Sequence, residues 1–242
     1  ADHGEMGLME LSTALDLHKS TVHRLLMSLI YMGYAKQDEA TQKYMLSYKV
    51  VNMAGKILER MDILPVAKPY MERLSDLSGE AVHLVQREGN HILYIYKIEA
   101  KVGTIRMVSH VGMVHPMYCS GVGKAIMATL PDEEVKKIWN ESIIEKKTDK
   151  TITDFSQMQE VLDEVRQNGY ALDDEENEKG VRCIAACLHG YQKEVKYAFS
   201  ISGPTSRMTR ERVRELAVDV KKVQEELSRD WLLQILRLNF QK

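Results

Sequence analysis

The stretch from Leu8 to Val51, LMELSTALDLHKSTVHRLLMSLIYMGYAKQDEATQKYMLSYKVV, constrains this chain more than any other. A short apolar-periodic segment (Leu8, Leu11, Ala14) leads into a tight connection, Leu15 to His18, and a longer helix begins at Lys19. In that helix Val22, Leu25, Leu26 and Leu29 recur at i, i+3, i+4 and i+7, which predicts one buried stripe. At ~100° per residue the opposite side carries Ser20, His23, Arg24 and Met27, with Lys19 and Thr21 near the start. Alone, this is an amphipathic helix with a solvated polar face. Gly33-Tyr34 at its end and a polar hairpin over Lys36 to Leu46, with Tyr44, Leu46 and Tyr48 alternating, add a wing. The layout predicts a winged helix-turn-helix that reads double-stranded DNA through its first two helical turns. Lys19, Ser20, Thr21, His23 and Arg24, with Lys43 and Tyr44 from the wing, are the expected contacts.

Charge is nearly balanced, with 33 Lys+Arg against 35 Asp+Glu. Residues 1–60 hold seven basic (Lys19, Arg24, Lys36, Lys43, Lys49, Lys56, Arg60) and seven acidic side chains (Asp2, Glu5, Glu10, Asp16, Asp38, Glu39, Glu59). One such head neutralises few phosphates, so nonspecific affinity per subunit is expected to be weak and a homodimer or tetramer is expected. Three cysteines in no regular framework suit a reducing compartment. There is no apolar run of ~18 residues, which argues against a membrane span and for a cytoplasmic chain.

At 242 residues the chain suits one large domain or two modest ones. We read 1–49 as the DNA-binding domain, 50–64 as a linker helix and 65–242 as a second domain. Val50, Ala54, Ile57, Leu58 and Met61 share one face of the linker helix, which packs on its own domain or on a second subunit. Pro65 and Pro69 are expected to interrupt helicity, with a helix from Ala67 to Ser78. Ala81–Arg87 and His91–Ile98 alternate around Glu88-Gly89-Asn90, a hairpin signal. Further strands are expected at Thr104–Val108, Tyr170–Asp173, Arg182–Leu188 and Val195–Ser202. Helices are expected at Gly121–Thr129, Asp132–Trp139, Phe155–Asn168 and Thr209–Ser228. Hairpin strands with helices between them give an α+β domain on an antiparallel sheet.

KSTVHRLL, then GYA, then QKYMLSYKVV resemble the DNA-binding half of the IclR family of bacterial transcriptional regulators. KAIMA after Ser-Gly-x-Gly, GYALDDEENEKGVRCIAA and FSISGPTSRM resemble that family's effector-binding domain, in the family's order. YIYKIEA, TIRMVSHVG and TITD resemble the KdgR-like subgroup, which implies a response to 2-keto-3-deoxygluconate. The resemblance implies a GAF-like second domain and a further helix ahead of the first one here, so the start is expected to be missing. It also carries over an effector pocket: Met107, His115, Gly121, Val122, Asp173, Val181, Cys183, Ser200 and Ser202. His115 stands where glyoxylate-responsive members would have an apolar residue, which fits a more polar ligand such as a sugar acid.

The residues themselves allow that pocket without requiring it. Ser120-Gly121-Val122-Gly123 opens a helix whose free amides favour an anion, or whose glycines serve close helix–sheet packing. The spacing departs from a nucleotide P-loop, because Tyr118 and Ala125 stand where Gly and Ser/Thr are needed. FSIS puts Ser200 and Ser202 on one strand face, which lines a polar pocket or faces solvent. Asp173 to Glu176 is an acidic run at a strand end, a solvated surface unless its first carboxylate points inward. Cys183, Cys187 and His189 share a strand face, but strand positions four apart are ~13 Å apart, too far for one zinc ion. No cofactor is expected. A ligand-responsive regulator is the leading reading; an enzyme using Cys119 or Asp173, and a DNA-binding dimer without a ligand, are the alternatives.

Overall fold

The computed structural model describes residues 4–59, 61–101, 108–189 and 195–240. The chain divides into two compact units, Ala1–Asp62 and Ile63–Lys242.

In the first unit helix α1 spans Leu8–Leu15, α2 Lys19–Tyr31, strand β1 Ala35–Gln37, β2 Tyr44–Leu46 and α3 Tyr48–Glu59. Glu10 accepts the Gly7 amide at 2.7 Å and so closes the start of α1. Asp16 ends that helix at φ 50°, the left-handed conformation that Asp tolerates better than most residues. The Ser12 hydroxyl then donates to the Leu17 carbonyl at 2.6 Å, fixing the turn into α2. At the hairpin tip the Asp38 carboxylate accepts the Ala40 and Thr41 amides and the Thr41 hydroxyl, all within 3.0 Å. The small core is Val22, Leu26 and Tyr44, with Leu8, Leu11 and Ile30 packed against it.

That core corrects the expected stripe. Leu25 and Leu29 are 49% and 38% exposed, and Ile30 takes the inward position. The hairpin and α1 cover only a narrow arc of α2, so the i, i+4, i+8 row is buried and the flanking leucines are not. α3 begins two residues before the expected linker helix, and Val51 and Ile57 on it are 67% and 59% exposed.

In the second unit α4 spans Ile63–Ser78, four residues earlier than the prolines suggested. Pro65 lies in the first turn, where its missing N–H has no intrahelical partner to lose. Pro69 does sit inside the helix. An interior proline costs ~3 kcal/mol. Ile63, Leu64, Ala67, Met71 and Leu74 are all buried, and at ~1.5–3 kcal/mol per large apolar side chain they outweigh that cost.

Six strands form one antiparallel sheet: β3 (Ala81–Glu88), β4 (His91–Ile98), β5 (Val114–Pro116), β6 (Ala171–Asp174), β7 (Val181–Leu188) and β8 (Tyr197–Pro204). Their spatial order is β5-β4-β3-β8-β7-β6. The β3–β4 hairpin turns at Gly89 (φ 61°), and a register shift at Leu84/Val85 interrupts the pairing beside Tyr94. The strand expected over Thr104–Val108 lies outside the described residues except for Val108, which is not in a strand. Helix α5 (Gly121–Met127) rests on β6, β7 and β8, with α7 (Phe155–Asn168) packed on it. α6 (Asp132–Glu141) precedes α7, and α8 (Arg210–Phe240) runs twelve residues beyond the expected end. α4 and α8 pack on each other, α4 also on β3 and α8 on β7. Phe199 and Ile201 are fully buried while Ser200 and Ser202 alternate with them, so both faces of β8 are covered.

Candidate DNA-reading helix and effector cavity

On α2 the side chains of Lys19, Ser20, His23 and Arg24 are exposed and Thr21 is half-buried, all in the first two turns. Lys43 is exposed on the hairpin. Tyr44 is different. Its ring is 7% exposed and packs with Val22 and Leu26, while its backbone pairs with Met6, so it builds the unit and does not face a duplex. The sequence pattern put it among the wing's expected DNA contacts. The bridge to Met6 makes that strand central rather than an edge, and the tyrosine turns inward. Lys49 is also committed, donating to the Met32 carbonyl at 2.7 Å over the Tyr34 ring.

In the second unit His115, Gly121, Val122, Asp173, Val181, Cys183, Ser200 and Ser202 line one cavity of about 340 Å³. Strand register does most of this. Ser200 pairs across to Ala185, Ser202 to Cys183, and Cys183 to Asp173, so three neighbouring strands offer polar groups at one level. Met107 lies outside the described residues. Ser120 of the glycine-rich turn also lines the cavity, as do His83, Tyr94, Ser109, Lys147, Asn177 and Glu178, which are not among the expected site residues. His83 was legible, because it sits on β3 directly opposite Ser200. Lys147 lies on an irregular connection, where no periodicity marks direction.

Burial sets the charge state of this wall. Asp173 is 4% exposed, and desolvation with the neighbouring Glu176 carboxylate raises its carboxyl to about 7. It still accepts the Glu176 amide at 2.8 Å. Burial lowers His115 to about 4, with the Lys147 charge adding to the effect, and lowers His83 to about 3. Both imidazoles are therefore neutral near pH 7. Lys147 is the one Lys or Arg lining the cavity among the described residues.

The acidic run is not the solvated surface its composition suggested. Asp174 pairs with Arg182 at 2.6 Å and Glu175 with Lys150 at 2.6 Å. Glu176 is buried against Lys124. The two glycines before Lys124 serve packing. A Cβ at Gly123 would lie 2.2 Å from the Met117 carbonyl oxygen, and one at Gly121 would meet the Ala185 Cβ at 3.3 Å. Gly121 and Val122 carry amides with no intrahelical acceptor, since Gly123 is the first to reach back, to the Ser120 hydroxyl at 3.1 Å.

Cys119 has an imidazole near it, His115 at 3.5 Å. Burial pushes that thiol up to about 12, so the pair holds no thiolate for nucleophilic chemistry. Among the described residues no group of His, Cys, Asp and Glu side chains is placed to hold a metal ion. Also among them, no helix is long and apolar enough to cross a membrane.

A helix-turn-helix with a paired hairpin, followed by a separate α+β unit around a polar cavity, defines the class of two-unit DNA-binding regulators. Residues 1–39 match the IclR helix-turn-helix domain and residues 55–229 the C-terminal domain of bacterial transcriptional regulators of the IclR type. The chain is 36% identical to the transcriptional regulator KdgR of Escherichia coli over 211 residues, covering 87% of this chain and 80% of that protein. It is 38% identical to the E. coli transcriptional repressor YiaJ over 203 residues, covering 83% and 72%. The crystal structure of the Thermotoga maritima IclR superposes with a TM-score of 0.76 at 28% identity, over 94% of this chain and 92% of that one. The chain belongs to the IclR family of bacterial transcriptional regulators; it is a DNA-binding regulator and not an enzyme.

Proposed function

We propose that this chain is a cytoplasmic, ligand-responsive repressor of carbohydrate or sugar-acid catabolism genes. Two of the E. coli relatives, YiaJ and AllR, are described as transcriptional repressors, which supports that direction of control. The observation that carries the ligand response is the convergence of Asp173, Ser200, Ser202 and the first amides of α5 on one cavity. The effector we assign is a small hydroxylated carboxylate, 2-keto-3-deoxygluconate or a relative. Its carboxylate lies against the Gly121 and Val122 amides, Ser200 and Ser202 bond it from β8, and Asp173 takes its hydroxyls. Lys147 supplies the cationic charge that the neutral histidines do not.

On the first unit, Lys19, Ser20, Thr21, His23 and Arg24 form the face that reads DNA, with Lys43 on a flanking phosphate. Two heads are needed, because a near-neutral single head neutralises few phosphates. The exposed Val51, Ala54 and Ile57 of α3 are the subunit contact in this reading.

Calorimetry with 2-keto-3-deoxygluconate, pyruvate and glyoxylate, paired with an operator mobility shift, tests the assignment. The sugar acid should bind most tightly and change operator affinity. Tighter binding of pyruvate or glyoxylate would overturn the sugar-acid assignment. Light scattering should show at least a dimer at micromolar concentration, and Ile57→Glu should reduce it to a monomer.

A further inference from the structure

His83 lines the cavity opposite Ser200 and is 2% exposed. Its Nε2 is 2.8 Å from the Ser109 hydroxyl. Its Nδ1 is 3.4 Å from the Ser200 hydroxyl and 3.4 Å from the Ser202 hydroxyl, and those two oxygens are 3.5 Å apart. The Tyr94 ring meets the imidazole edge-on at 5.3 Å, holding its plane.

A neutral imidazole has one N–H and one in-plane lone pair, so its two sides have opposite sense. Were Nδ1 the acceptor, its single lone pair could serve only one of two equidistant hydroxyls. An N–H can be shared between two acceptors, as bifurcated bonds are. The equal spacing therefore suits Nδ1–H as donor. The other side allows this: at 2.8 Å the Ser109 hydroxyl is within hydrogen-bond reach of Nε2 in either sense. Ser109 then donates to Nε2.

We propose that His83 is a specificity-determining residue of the cavity: as the Nδ1–H tautomer it takes one lone pair each of Ser200 and Ser202, leaves their hydroxyl protons free to donate, and makes that wall favour an oxygen acceptor. The ligand group this wall takes is the oxo or carboxylate oxygen of a 2-oxo acid, in preference to the hydroxyl of the corresponding 2-hydroxy acid. Asp173, two strands along the same wall, complements it by accepting from hydroxyls further along the ligand. This rests on the effector reading above, but the tautomer does not.

Full-length protein labelled with ¹⁵N at histidine should show, without any ligand, one imidazole with a protonated Nδ1 and a bare Nε2. Loss of that signal in His83→Asn assigns it. A protonated Nε2 at His83 would overturn the proposal. With 2-keto-3-deoxygluconate and its 2-hydroxy reduction product as probes, the wild type should prefer the oxo acid about tenfold. His83→Asn keeps an N–H near the Nδ1 position and should retain most of that preference, while His83→Leu should reduce it to under about threefold. Equal binding of the two acids by the folded wild type would also overturn it. Failure of both acids to bind would remove the effector assignment while the spectrum still decided the tautomer.

Discussion

Lys124 and Glu176 form an ion pair inside the second unit, their side chains 1% and 9% exposed. Asp173, three residues before Glu176, faces the cavity and feels that carboxylate as a like charge. One buried cation thus sits behind two buried acids, on a wall with little water to spread the charge. Breaking such a pair from one side leaves an uncompensated charge, so Lys124→Met should destabilise the second unit by about 3–5 kcal/mol. Chemical denaturation followed in that unit would show it. A loss below about 1 kcal/mol would mean that the acids simply protonate.

Asp173 should make stability and ligand binding depend on pH. Its folded carboxyl is raised to about 7 from an ordinary value of 3.8. The native state therefore binds protons more tightly than the unfolded chain between those values, and stability falls as pH rises from about 4 to about 7. Asp173→Asn should flatten that slope in thermal unfolding. In the wild type an anionic ligand should bind more tightly below pH 7 than above it. An unchanged slope in the mutant would place the proton elsewhere.

Asp173→Ala should also cost roughly 1–3 kcal/mol of affinity for 2-keto-3-deoxygluconate, the range for leaving a buried hydrogen-bonding group of the ligand without its partner. Operator binding without ligand should be largely untouched. Calorimetry and a mobility shift on the same preparation separate the two.

Arg24→Ala should weaken specific operator binding by about 1–3 kcal/mol while leaving the unit folded, since the side chain is exposed and carries no packing role. Unaltered affinity in a mobility-shift titration would remove Arg24 from the DNA face. Tyr44→Ala should act through stability instead, costing about 3 kcal/mol as a core aromatic truncation. Its circular dichroism melt should shift before any effect on DNA is read.

Lys147→Gln should reduce affinity for the anionic ligand only about two- to fivefold, because an exposed charge is worth under about 1 kcal/mol. The wild-type affinity should fall with added salt, and the mutant's should fall less. A tenfold loss would mean that the bound ligand buries the ammonium.

Long periodic segments were legible: α2, the β3–β4 hairpin around Gly89 and α7 all lie where pattern and turn residues put them. The misreadings have local causes. β5 is three residues on a sheet edge, too short for alternation to register, so His115 was placed in no strand. On α2, periodicity fixed the helix but not which leucines turn inward, because that depends on how wide an arc the neighbours cover. Pro69 was given the cost of a helix breaker when its neighbours bury enough apolar surface to keep it. In the cavity, the residues on regular strands could be placed by period two. Lys147 and Asn177 could not, since irregular backbone gives no rule for side-chain direction.

The cavity's two kinds of wall have different freedom to vary. Ser200, Ser202, Cys183 and His83 stand on β8, β7 and β3, interior strands whose other faces are packed, so substitution there is felt by the whole sheet. Ser109, Lys147, Asn177 and Glu178 stand on connections that carry little of the fold. A lineage could exchange those residues one at a time and acquire a new ligand while its scaffold, and the DNA it addresses, stayed as they were.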